Sequence, residues 1–193
     1  LLVRELSNSA DIEVVIVSLD SILSDDAADD NLTLASRDQL MVLSDYQDRA
    51  DVLAPYMENL KRQASIDALP SIVRSGGTVR FPGEYPLAEG MSVGDLINLS
   101  GGLIESAYSQ SAEISRLDLS NPNRAVTSIL ISDLTRSASS VLAPADYVEF
   151  RTIPGYRETE SITLEGEFVF PGIYAFEKGE GLNSIIQRAG GFT

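Results

Sequence analysis

No cysteine and no histidine occur among the 193 residues. Their absence excludes a disulfide framework, a thiol nucleophile and any zinc site built on Cys or His ligands. It also removes the usual proton shuttle of neutral pH. Tryptophan is missing too, and with it the largest aromatic plate on which a sugar ring could stack. The only lysines are Lys61 and Lys178, so a serine nucleophile would lack its common activators. Positive charge is scarce: 14 basic against 29 acidic side chains give a net charge of −15. Such a surface repels phosphate backbones and anionic lipid alike, and no nucleic-acid partner is expected. Long apolar runs are absent as well. Crossing a bilayer takes roughly 20 apolar residues, and the longest candidate, Ile12 to Leu23, is broken by Glu13, Ser18 and Asp20. The chain opens on Leu1 without a charged-then-apolar leader, and so reads as a fragment whose anchor or targeting signal lies elsewhere.

What remains is an ordinary globular balance, 44% hydrophobic and 22% charged. The length suits two or more small modules. Internal self-similarity shows where they lie. Phe81-Pro82-Gly83-Glu84-Tyr85 recurs as Phe170-Pro171-Gly172-Ile173-Tyr174, and the match runs ungapped from 77–103 to 166–192 with 9 of 27 positions identical. Pro-Gly predicts a tight turn, because Pro fixes φ near −65° and Gly accepts a positive φ after it. Thr78–Phe81 and Glu165–Phe170 are the expected first strands of two hairpins, with Glu84–Leu87 and Ile173–Phe176 as their partners. A helix should follow each. Ser92 caps the first, with Asp95 three residues on and Val93, Leu96 and Ile97 on one face. Gly181 caps the second, whose face is Leu182, Ile185, Ile186 and Ala189. Gly101-Gly102 and Gly190-Gly191 stop the helices in a left-handed turn.

A second repeat marks the far end of the unit. Leu34–Val42 matches Leu142–Phe150 without a gap, each reading as a turn followed by an alternating strand; the Leu-rich segments upstream match more loosely. The expected organisation is therefore the C-terminal part of one module (1–44), a helical connector (45–70), a complete module (71–153) and the N-terminal part of a further one (161–193). Asp38 and Phe81 are 43 residues apart, Asp146 and Phe170 only 24, so the first junction holds 19 extra residues. There Leu53, Tyr56, Met57, Leu60 and Ala64 share a helical face, with the regular part expected to start near Pro55. Hairpin, helix and further strands in one short module describe an α+β, β-grasp-like fold: a small mixed sheet packed on one helix.

Val79-Arg80-Phe81-Pro82-Gly83-Glu84-Tyr85-Pro86-Leu87, followed by Gly90, a capped helix and Gly101-Gly102, resembles the SLBB domain, a soluble ligand-binding β-grasp module. The tandem copies, with a helix around Leu53-Ala54-Pro55 between them, are similar to the Wza-type polysaccharide export proteins of the outer membrane. That resemblance implies a periplasmic protein held at the outer membrane through regions outside these residues. It implies assembly as a homo-oligomer into a conduit for capsular polysaccharide or exopolysaccharide, and contact with inner-membrane copolymerase and assembly proteins. The export-motif region that precedes the repeats in that family, and its membrane-crossing C-terminal helix, are not in this sequence.

Few residues invite a chemical reading. Asp25–Asn31 is acidic but lacks the alternating ligands, glycine and closing Glu of a calcium loop, so a solvated loop is expected and no metal site. Tyr85 and Tyr174 could stack on sugar rings or pack across their hairpins, and packing is the expectation. Gly76-Gly77 and the later Gly-Gly pairs follow no phosphate-binding spacing and read as turns and helix stops. Ser137–Ser140 reads as loop. No catalytic residue and no cofactor are expected. Phe81, Pro82, Gly83, Gly101 and Gly102, with Phe170, Pro171, Gly172, Gly190 and Gly191, are assigned to the structural motif.

Overall fold

The computed structural model describes residues 1–6, 11–24, 32–44, 47–65, 68–118, 120, 126–132, 134, 140–156 and 160–193. The chain divides into two units, Leu1–Pro154 and Gly155–Thr193.

The centre of the first unit is a five-stranded mixed sheet. It contains β4 (Ile72–Gly77), β5 (Gly83–Pro86), β6 (Ala107–Leu117), β7 (Val126–Ser132) and β8 (Tyr147–Thr152), in the order β5-β4-β8-β6-β7. β4 and β8 run parallel, and every other pairing is antiparallel. Helix α3 (Val93–Leu99) supplies Val93 and Leu96 to the core, where Val73, Tyr85, Met91, Ile114, Val148 and Phe150 are also buried. β8 shows the pattern expected of a strand with one covered face: Val148 and Phe150 point in while Tyr147 and Glu149 are only half-buried. This is the α+β, β-grasp-like module of the sequence reading.

Local chemistry sets the helix ends where they were expected. Ser92 Oγ accepts from Asp95 N (3.2 Å), while Asp95 Oδ2 accepts from Ser92 N (2.8 Å), a reciprocal cap. At the other end Gly101 and Gly102 take φ of +79° and +87°, and Gly102 N donates to Ile97 O (2.8 Å).

The hairpin strands differ from expectation. Thr78–Phe81 is not a strand; the partner of β5 is Ile72–Gly77, and Gly76-Gly77 lies inside it. A Cβ on Gly76 would stand 2.1 Å from the Tyr147 hydroxyl, and one on Gly77 would stand 2.0 Å from Phe150 O. These glycines serve the close approach of β4 to β8. Gly77 then turns the chain out of the sheet at φ +75°. Thr78 Oγ1 donates to the carbonyls of Phe150 (3.0 Å) and Arg151 (2.9 Å). Arg80 N and Phe81 N donate to Gly102 O and Ser100 O. The Phe-Pro-Gly segment satisfies its amides on carbonyls at the end of α3, so it needs no strand partner.

Upstream lies a small sheet of β1 (Leu2–Glu5), β2 (Ile12–Val15) and β3 (Gln39–Leu40), in the order β2-β1-β3, with a short helix α1 (Leu19–Ser24) after β2. Between the two sheets runs α2 (Arg49–Gln63), which starts six residues before Pro55. Asp48 caps it, accepting from Ala50 N (2.9 Å). The bond that Pro55 cannot donate would fall on Asp51, which is exposed and open to water, so the helix tolerates it. Leu53, Met57 and Leu60 join Val3, Ile12 and Val14 on one side and Val73 and Tyr85 on the other in a single buried cluster.

The second unit contains β9 (Ser161–Leu164), β10 (Gly172–Ala175) and α4 (Leu182–Arg188). As in the first copy, the strand is Ser161–Leu164 instead of Glu165–Phe170. Leu164, Ile185 and Ala189 are buried, with Ile162, Phe168, Tyr174 and Phe176 packed against them. Leu182 was expected on the buried face but is exposed. In the complete module the start of α3 is covered by residues 140–142, through Val93 N to Ser140 O (2.9 Å) and Leu142 N to Met91 O (2.9 Å). Nothing equivalent lies over Leu182 among the described residues.

Candidate functional site

The two Phe-Pro-Gly turns are built bond for bond alike. β4 and β5 pair Ile72 with Pro86 and Ser75 with Gly83, while β9 and β10 pair Ser161 with Ala175 and Leu164 with Gly172. Tyr85 donates its hydroxyl to Phe81 O (2.5 Å) and Tyr174 to Phe170 O (2.6 Å). Phe170 N donates to Ala189 O (3.0 Å) and Gly191 N to Ile186 O (2.9 Å), as Phe81 and Gly102 do in the first copy. The backbone bridges Val79–Leu103 and Phe168–Phe192 also correspond.

Both tyrosines pack. Tyr85 is 1% exposed and offers no face to a sugar; burial pushes its phenol up from its ordinary value. Tyr174 is half-buried, with the Arg188 guanidinium 5.9 Å from its ring centre. A third aromatic ring of the two segments, Phe81, is half-buried. It lines a cleft of about 390 Å³ with Gln47, Asp48, Arg80, Pro82 and Glu84. Arg49 lies over the Phe81 ring at 4.6 Å, and Lys61 pairs with Glu84 at 2.6 Å. An apolar plate ringed by charged side chains is chemistry suited to a polyhydroxylated ligand or a peptide. Phe81 is assigned to the structural motif from sequence, where the flanking Asp48, Arg49 and Lys61 are not visible because they lie far away in the chain, in and beside α2.

The second repeat turns out to be an ion-paired turn. Asp146 Oδ2 accepts from Ala143 N (2.8 Å) and from Arg116 Nη2 (2.7 Å), while Arg116 Nε reaches Oδ1 (2.9 Å). Arg116 Nη2 also donates to Val141 O (3.1 Å). In the first copy Asp38 accepts from Ala35 N (2.7 Å) and from Arg4 Nη2 (2.7 Å) and Nε (2.9 Å), and Arg4 donates to Thr33 O (3.0 Å). Arg37 and Ala145, which precede the aspartates, take φ of +70° and +64°. Each aspartate holds a left-handed turn closed, and a two-pronged Arg holds the aspartate to the neighbouring strand. The Arg4 bond, with the Ala35 amide, lowers Asp38 to about 2. This arrangement fixes strands.

The acidic segment Asp25–Asn31 and Ser137–Ser139 lie outside the described residues. Among the described residues no group of His, Cys, Asp or Glu is placed to hold a metal ion, and no helix is long and apolar enough to cross a membrane.

Comparison with known families agrees with the module. Residues 75–129 match the family model of the SLBB domain, from Ser75 in β4 to Ile129 in β7. The SLBB domain is a ligand-binding module found in polysaccharide export proteins, and over residues 75–129 of the 193 the chain is similar to it. No curated protein matches the chain.

Proposed function

We propose that the chain is a structural and assembly part of a polysaccharide export protein. In this reading it stands in the periplasm, is held at the outer membrane by regions outside these residues, and helps to wall a conduit for capsular polysaccharide or exopolysaccharide. Its partners are further copies of itself, inner-membrane copolymerase and assembly proteins, and the passing polymer. It performs no catalysis. The carrying observation is the SLBB match at 75–129 together with a second copy of its hairpin and helix at 161–192, in tandem on one chain. Small modules repeated along a chain bury their faces on neighbours and build walls. Supporting this, the invariant parts of the two copies are turns, caps and stops, which are scaffold chemistry. In cells making the polymer, in-frame removal of residues 71–153 should leave polymer synthesis intact and stop polymer reaching the surface. Undiminished surface polymer would overturn the proposal.

The Phe81 cleft favours one alternative, a glycan- or protein-binding module without a conduit role. That reading expects saturable binding of oligosaccharides cut from the polymer, abolished by Phe81→Ala and untouched by Tyr174→Ala. Equal binding by both variants would sink it.

A further inference from the structure

One face of the five-stranded sheet buries Val73, Ile114 and Val148. The other carries a row of polar side chains set by the strand register. Glu84 of β5 stands opposite Arg74 of β4, and Arg74 opposite Tyr147 of β8. Tyr147 stands opposite Ser115 of β6, and Ser115 opposite Ser128 of β7. Two residues along, on the same face, runs an apolar row that includes Ile72 in β4, Leu117 in β6 and Val126 in β7. A groove of about 340 Å³ is lined by both rows, a volume within the range of small-ligand sites.

Tyr147 is held in this groove as a fixed plate. Its hydroxyl lies over Gly76, where a Cβ would stand 2.1 Å from it, and donates to Glu149 Oε2. Arg74 sits 5.6 Å from the ring centre. Glu84 is neutralised by Lys61 at 2.6 Å. Among the described residues Arg74 makes no ion pair, so it is the cation the groove has to spare. The set belongs to the complete module alone. At the matching places the other two copies hold Gln39 for Tyr147, Thr163 for Arg74, Ile173 for Glu84 and Glu165 for Gly76, while the scaffold positions Phe81, Gly83 and Tyr85 recur. A requirement of the fold would recur with them; this set does not.

We propose that this groove binds a carboxylated sugar, with the Tyr147 ring against an apolar face of the pyranose and the Arg74 guanidinium on the carboxylate. Arginine offers two parallel N–H donors that match a carboxylate in both spacing and charge. Ser115 and Glu84, in the same row, meet hydroxyls at the polar edge of the sugar, and Ile72, Leu117 and Val126 meet its C–H groups. The net charge of −15 opposes an anion at long range. At physiological salt, charges more than about 8 Å away are largely screened, so the local cation decides. That the ligand is a sugar rests on the proposed function; that it carries a carboxylate rests on Arg74.

Calorimetric titration of the whole 193-residue chain with trimers of galacturonate and of glucuronate, and with their methyl esters, tests it. An acid trimer should bind saturably, and its methyl ester about 10-fold or more weakly. Arg74→Gln, at an exposed position, should erase the difference between acid and ester, which a merely structural change would not do. Tyr147→Leu should weaken acid and ester alike by about 5-fold, and Phe81→Ala, in the other cleft, should change neither. Failure of both acids to bind, an ester that binds as well as its acid, or an acid preference that survives Arg74→Gln would each overturn the inference. If removal of residues 71–153 still stops polymer at the surface, such a result leaves the export reading standing. Saturable acid binding beside undiminished surface polymer would do the reverse.

Discussion

Arg116→Leu removes a guanidinium from a carboxylate that has no exposed surface. In the native turn Asp146 receives three short hydrogen bonds, from Arg116 Nε (2.9 Å), Arg116 Nη2 (2.7 Å) and Ala143 N (2.8 Å). The side chain of Asp146 is 0% exposed and that of Arg116 32%. The leucine cannot replace the two prongs. Breaking a buried pair from one side costs about 3–5 kcal/mol, because the remaining charge stays buried without compensation. Against a total stability of about 5–15 kcal/mol for a domain, that is a large fraction. Removing both charges tells the desolvation cost apart from mere loss of packing: Arg116→Leu combined with Asp146→Leu strands no charge and should cost less than Arg116→Leu alone. Urea unfolding at pH 7 followed by far-ultraviolet circular dichroism measures both. A loss below about 1 kcal/mol for Arg116→Leu, the range of an exposed pair, would refute the reasoning. So would a double variant less stable than the single one.

Gly77→Ala should cost about 1–2 kcal/mol from its left-handed backbone alone, and further through the overlap with Phe150 O; hydrogen exchange at β4 and β8 amides should rise with it. Gly166→Ala has the backbone cost without the overlap, so Gly77→Ala should be the more damaging in amide exchange of its own hairpin. Ser92→Ala removes the oxygen that accepts from Asp95 N and should lower the urea midpoint by the equivalent of about 1 kcal/mol. For Asp38 the folded value, about 2, lies below the ordinary 3.8. Its contribution to stability is therefore full above the ordinary value and disappears as pH falls through about 2. The stability difference between wild type and Asp38→Asn should shrink across that interval, and a difference independent of pH would contradict it.

Turn and cap chemistry was legible in the sequence because it is local. The Ser92–Asp95 box and Gly101-Gly102 each act within a few residues and stand where spacing put them, whereas Gly83 takes no positive φ and opens β5 instead of closing a Pro-Gly turn. The strand before the turn was not legible. Gly76-Gly77 carries a loop signature, yet its smallness answers to Tyr147 and Phe150, some 70 residues away, and local pattern holds no trace of that. The Asp turn was visible as a repeat but not as an ion pair. Its Arg partner lies 34 residues before Asp38 and 30 before Asp146, so the register drifts between the copies just where the partner should be sought. Tyr85 packs as its hairpin position leads one to expect, while the surroundings of Phe81 depend on α2 arriving beside it.

The 19 extra residues of the first junction explain why the chain divides where it does. The small N-terminal sheet is apolar on the face where the complete module is polar: Val3 stands at the place of Ser115. That face requires a cover, and α2 provides it with Leu53, Met57 and Leu60 while its Arg49 lies over Phe81 of the next module. Two further bonds fasten α2 to that sheet, Tyr56 to Gln39 (2.8 Å) and Gln63 to Ile12 O (2.9 Å). Residues 1–154 thereby share one core and should unfold together. At the second junction no such helix intervenes among the described residues, and the 155–193 unit keeps a separate small cluster around Leu164 and Ile185. A cluster that size offsets little conformational entropy. Leu182, Phe170 and Phe192 stay exposed in this unit, whereas in the first unit α2 sets Arg49 over Phe81, the counterpart of Phe170.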